Sequence, residues 1–236
     1  MTRMPRFITL TMAFVGAALA QTAAPITVAA VETGSGQPSW SVTNTGTKTV
    51  TAFALTYPVP PPAGSNIAGA TATTSYDAAT EPLANKPVPP GQTLTLPYGP
   101  PNASVGHALP QVRAVIFADG ASWGDTAWTG RLSQRRTYMR QSLAAGLADL
   151  NAAAADITTT RTGLINQFQS AQSAEQAAAS DTDQRACIRS VRGVVLRNLQ
   201  ALNQAGVPIP IKDVIAHEMK ALQARVAAMQ ANAAGQ

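Results

Sequence analysis

Near residue 130 the period of the apolar residues changes from two to about three and a half, and that break decides what the chain can build. Before it, Ser39-Trp40-Ser41-Val42-Thr43 places Trp40 and Val42 on one side of an extended segment. Phe53, Leu55 and Tyr57 do the same within Thr49 to Tyr57. After it, Leu132, Met139, Leu143, Leu147, Leu150 and Ile157 recur at spacings of three, four and seven. A period of two belongs to a strand with one buried face, and a period near 3.6 to an amphipathic helix. The expected fold is therefore α+β in two segregated parts. An antiparallel β-sandwich occupies 21–128, and a bundle or hairpins of about four α-helices occupy 129–236.

The strand signals are punctuated by turns. Asn44-Thr45-Gly46-Thr47 is a turn cluster, so the runs on either side are expected to pair as a hairpin. Pro58 to Gly64 holds four prolines and ends the second run. Residues 65–88 are polar and small, with Ile67, Tyr76 and Leu83 as candidate buried anchors. Pro89-Pro90-Gly91-Gln92 is a turn before the alternating Thr93-Leu94-Thr95-Leu96. Val112 to Ala118 is mostly apolar and ends at Asp119-Gly120, a two-residue hairpin turn. The segments Trp40-Ser41-Val42-Thr43-Asn44-Thr45-Gly46, Pro90-Gly91-Gln92 and Val115-Ile116-Phe117-Ala118-Asp119-Gly120 carry a resemblance over 26–128. The layout is similar to the immunoglobulin-like and fibronectin-like modules common in exported bacterial proteins. That resemblance implies a two-sheet sandwich but no particular function. The antibody-type disulfide has no counterpart, since Cys187 is the only cysteine.

In the helical part, Thr158-Thr159-Thr160 interrupts the first helix, and Leu164, Ile165 and Phe168 open a second. Asp181 with Gln184 resembles a capping box at the start of a third, which carries Cys187, Val191, Val194, Val195, Leu199 and Leu202. Gly206 and Pro208 end it. Pro210 opens the last, where Ile215, Met219, Leu222, Val226 and Met229 form a short coiled-coil-like seam. That seam is a candidate for homo-oligomer formation.

The N-terminus reads as a secretory signal peptide over 1–20. Arg3 and Arg6 make a positive start, Phe7 to Val15 a short apolar run, and Ala18-Leu19-Ala20 a peptidase site read at Ala18 and Ala20. The expected location is extracytoplasmic, periplasmic or secreted. Cleavage would leave 15 basic and 12 acidic residues, a net charge of +3. Residues 21–130 then carry three basic and five acidic groups, against twelve and seven over 131–236. The opposite signs favour two modules.

Few residue groups carry chemistry. Gly120-Ala121-Ser122-Trp123-Gly124 matches G-x-S-x-G, with Asp149, Asp156, Asp213 and His217 downstream in the order of an α/β-hydrolase triad. That fold needs parallel strands after the serine, and the sequence offers helices, so the match reads as a hairpin turn. His107 reads as a solvated loop residue, and His217-Glu218 lacks the second histidine of a zinc-protease helix. Asp77, Asp119 and Asp125 fit turns and caps more simply than a calcium site. One Cys and two His cannot supply a zinc tetrad, and no cofactor is implied. Trp40, Trp123 and Trp128 are expected in the sandwich core or its junction with the first helix. Arg131, Arg135, Arg136 and Arg140 cluster at the start of the first helix, and Arg185, Arg189, Arg192 and Arg197 on the third. Arg136 with Arg140, and Arg185 with Arg189 and Arg192, share helix faces. Those faces are solvated or meet an anionic partner: lipid headgroups at a membrane surface, an acidic protein or an envelope polymer. Nucleic acid has no supporting motif. The expected function is therefore that of an exported, non-enzymatic envelope or secreted protein. It would bind another macromolecule through the sandwich loops or the helical region. A serine hydrolase built on Ser122 and a self-assembling structural protein are the alternatives.

Overall fold

The computed structural model describes residues 23–32, 38–59, 70–97, 109–206 and 208–235. The expected signal peptide with Ala18 and Ala20, Ile67, most of the Pro-rich loops, and His107 lie outside them. Among the described residues, seven strands precede four helices. The strands are β1 (Ile26–Glu32), β2 (Pro38–Asn44), β3 (Val50–Val59), β4 (Ala70–Asp77), β5 (Thr93–Pro97), β6 (Gln111–Phe117) and β7 (Ser122–Gly124). The helices are α1 (Thr126–Ala155), α2 (Arg161–Ala178), α3 (Thr182–Gln204) and α4 (Ile211–Ala233). All strand pairings are antiparallel, in one sheet ordered β1-β2-β5 and another ordered β4-β3-β6-β7.

Both sheets contribute to one apolar cluster, Trp40 and Val42 from the first, and Phe53, Leu55, Tyr57 and Val115 from the second. Trp40 meets Tyr57 edge-on with ring centroids 4.6 Å apart, and Phe53 stacks on Tyr76 at 5.1 Å. Such aromatic pairs add about 0.5–1.5 kcal/mol to simple burial.

The hairpin expected between β2 and β3 does not form, because the two strands lie in different sheets. Asn44 is the cause. Its buried side-chain amide donates to the carbonyls of Lys48 (2.9 Å) and Val88 (2.8 Å), and its oxygen accepts from the Gly46 N–H (3.0 Å). Val50 is bridged to Val88. The chain is thus held to residue 88 as it crosses, and Trp40 faces Tyr57 through the core rather than alongside it. β4 is concealed in the sequence by small residues. Ala72 and Thr74 are half-buried, and Tyr76 is its one large buried side chain. Leu83, expected inside, is 72 % exposed in the turn that follows.

β3 is buried on both faces. Its second face carries Ala52 and Ala54, which with Ala114, Ile116 and Leu132 form a separate cluster under α1. Alanine there lets a helix approach the sheet closely. Trp128 packs against this cluster, and Trp123 is partly buried against the larger one. α1 therefore starts ahead of residue 129, and its first turns belong to the sheet packing.

The caps explain the helix boundaries. Asp125 accepts the Ala127 N–H at 2.8 Å and starts α1. Asp156 takes extended backbone and accepts from both the N–H and the hydroxyl of Thr158, which stops it. Ile157 therefore falls beyond the helix and is 88 % exposed, outside the core expected for it. Asp181 accepts the Gln184 N–H at 2.8 Å, while Gln184 reaches back to the Ser180 N–H at 2.8 Å. This is a capping box displaced by one residue. The helical core joins Met139, Leu143, Leu150, Phe168, Val191 and Leu199 to Ile215, Leu222 and Met229. Of the α4 seam, Ile215, Leu222 and Met229 are buried within the chain, and Met219 and Val226 are partly buried in the same cluster.

The start of α1 and the end of α4 both meet the sheets. Arg136 binds Asp77, and the Asn232 amide donates to the carbonyls of Ala78 (2.8 Å), Pro82 (3.3 Å) and Asn85 (3.2 Å). The two helices pack against each other and run antiparallel.

Candidate functional site

The members of the candidate triad are held apart. Ser122 is exposed on β7, paired with Ile116 across the hairpin. Gly120 has φ +81 in the hairpin turn, and Gly124 has φ +101 where β7 gives way to α1. Both glycines of the G-x-S-x-G pattern thus serve backbone turns. His217 is exposed on α4, fifteen residues before Asn232, or about 22 Å along the helix from the end that meets the sheets. Asp149 pairs with Arg192, Asp156 holds Thr158, and Asp213 sits in the first turn of α4.

Asp77, Asp119 and Asp125 each have a positional role. Asp77 accepts from Arg136 and the Ala79 N–H. Asp119 accepts from Lys48 and the Ala121 N–H, which hold its carboxyl below the usual range. Among the described residues no group of three or more His, Cys, Asp or Glu side chains is placed to hold a metal ion. Cys187 is buried, and desolvation pushes its thiol up to about 11.

Arginines at helical spacing do not make one free face. Arg192 is 2 % exposed and donates to both oxygens of Glu175 (2.6 and 2.7 Å) and to Asp149, tying α3 to α2 and α1. Arg136 donates to both oxygens of Asp77 (3.0 Å) and to the Thr51 hydroxyl (2.9 Å). Arg185 donates to the carbonyls of Gln176 and Ala179 at the end of α2. Arg131 pairs with Asp183, and Arg135 with Glu81. Of the arginines on the two candidate faces, Arg136 and Arg192 are thus engaged within the chain rather than presented to solvent. Carboxylates distant in sequence neutralise Arg136 and Arg192. Arg140 and Arg189 stay exposed, with no carboxylate paired to either among the described residues.

Arg140 borders a groove of about 440 Å³ between α1 and α4. Small-molecule sites span roughly 300–1,000 Å³ and are mostly apolar with a few placed polar groups. Arg136, Arg140 and Gln230 lie at the end nearest the sheets, beside Ala79 and Ala233. Met229 lies level with Gln230, and Leu143, Ala144, Leu147 and Val226 line the remainder. At 1.5 Å per residue, Leu147 is about 16 Å further from the sheets than Arg136. The groove therefore passes from polar to apolar along its length. Leu147 and Val226 read as ordinary core positions in the sequence. Their signal is that each widens an apolar stripe beyond what one neighbouring helix can cover.

Comparison with known proteins finds no match to any family, to any curated protein or to any solved structure. Among the described residues no helix is long and apolar enough to cross a membrane.

Proposed function

We propose that this chain is an exported, non-enzymatic binding protein whose α1–α4 groove is the binding site. The observation that carries this reading is the groove itself, a mostly apolar cleft between two helices with Arg140 at its edge and no carboxylate paired to that guanidinium among the described residues. The sheets are read as an immunoglobulin-like sandwich that serves as the frame. Seven antiparallel strands change sheet between β2 and β3, between β4 and β5, and between β5 and β6, a partition that suits Greek-key sandwiches. Their inner faces share one apolar cluster, which supports the same reading. Export rests on the arginines, apolar run and Ala18-Leu19-Ala20 of the first twenty residues.

A nonpolar fluorescent dye tests the groove. The purified protein is expected to bind it, and Ala144→Trp, at an exposed position inside the groove, is expected to abolish binding with the circular dichroism spectrum unchanged. Equal dye binding by both proteins refutes the site. Export is tested by expressing the full chain in a bacterium and sequencing the N-terminus of the envelope fraction, where Gln21 is expected first.

A further inference from the structure

We propose that the occupant of the α1–α4 groove is a single-chain acyl carboxylate, its head on Arg140 and its tail along Leu143, Leu147 and Val226. The proposal rests on the reading of the groove as the binding site and adds the chemistry of the ligand. Three observations converge on it.

The first is charge. Of the two arginines at the polar end, Arg136 is neutralised by Asp77, whose side chain is 0 % exposed. Among the described residues Arg140 donates only to the Thr137 hydroxyl, at 3.3 Å. Among the described residues no acidic side chain lines the groove, so its polar end offers one net positive charge. That suits a monoanion and disfavours an ammonium head. The second is shape of polarity. Beyond Arg140, away from the sheets, the lining is Leu143, Ala144, Leu147 and Val226, so a charge is followed by an aliphatic stretch, as an amphiphile requires. From Arg140 to Leu147 the helix advances about 10 Å, a length for a tail to follow. The third is donor geometry. A guanidinium presents a planar fork that matches a carboxylate through two parallel hydrogen bonds, and Gln230 adds a neutral amide beside it.

Calorimetric titration of the purified protein tests the assignment, with dodecanoate below its micellar concentration and with dodecanol and dodecyltrimethylammonium as controls. Dodecanoate is expected to bind about tenfold more tightly than dodecanol, the ammonium compound more weakly than either. Arg140→Gln is expected to bring dodecanoate down to the level of dodecanol and leave dodecanol unchanged. Ala144→Trp is expected to remove binding of both. Both substituted positions are exposed, and circular dichroism verifies that each variant folds. If dodecanoate fails to bind, if dodecanol binds equally well, or if Arg140→Gln changes nothing, the carboxylate assignment is overturned while the groove can still bind the dye. If Ala144→Trp weakens neither ligand nor dye, the groove reading falls with it.

Discussion

Two buried ionisable side chains show how far a single residue can depart from its ordinary chemistry. Glu218 is 2 % exposed on α4, and its carboxylate accepts from the Asn198 amide at 3.1 and 3.3 Å. Burial raises its pKa above the usual range, and Asn198 and the adjacent His217 offset this only in part. The folded chain therefore keeps this proton to higher pH than the unfolded chain. Stability is at its full value below the ordinary glutamate pKa of roughly 4.3 and falls as pH rises towards the folded value. Glu218→Gln keeps the shape without the charge. It is expected to raise the urea midpoint at pH 7 and to match the parent at pH 3, and equal midpoints at pH 7 would contradict this. At pH 8 the Cys187 thiol, at about 11, is ionised in about one molecule in a thousand. A thiol reagent is expected to leave the native protein unlabelled and to label one site per chain in denaturant.

At the scale of elements, the glycines flanking β7 separate a tolerant turn from a closed one. A Cβ on Gly124 would lie 2.3 Å from the Arg113 carbonyl oxygen, at a φ of +101. Neither the backbone of β6 nor the first turn of α1 can move aside without disturbing the cluster beneath. At Gly120, with φ +81, a Cβ meets nothing within 4 Å, so only the left-handed conformation is strained. Gly120→Ala is expected to cost about 1–2 kcal/mol. Gly124→Ala adds a backbone clash and is expected to cost more than about 3 kcal/mol. Thermal unfolding of the two variants checks the order, and a reversed order refutes the account. The serine between them contributes nothing to this difference.

For the whole molecule, the question is whether sheets and helices unfold together. Arg136 crosses that boundary to a fully buried Asp77, and Thr51 passes the network on to the Ile116 carbonyl of β6. Asn232 fastens the end of α4 to three carbonyls after β4. Trp40, Trp123 and Trp128 all lie in the sheets or at their junction with α1, so tryptophan fluorescence reports the sheets and ellipticity at 222 nm the helices. In the parent the two transitions are expected to coincide. Arg136→Met leaves Asp77 unpaired and is expected to cost about 3–5 kcal/mol and to separate the two curves. Coincident curves in that variant would show that Asn232 and the packing of Trp128 and Leu132 on β3 and β6 couple the parts on their own.

Local regularities were legible in the sequence alone. The change of apolar period placed strands before helices. The Asp119-Gly120 turn, the Asp181 cap and the break at Thr158 to Thr160 lay where nearby residues dictate them, because turns and caps are settled within a few positions. What needed the tertiary structure was every contact between residues far apart in the chain. Asn44 routed β3 into the other sheet, and Ala52 and Ala54 proved to be a floor for α1. Asp77, Asp149 and Glu175 neutralised arginines that helical spacing alone presents as free. The groove belongs to this second class. It exists because α1 and α4, separated by two other helices in sequence, lie side by side with Arg140 at their edge, and no periodicity along one helix encodes which surface its neighbours leave uncovered.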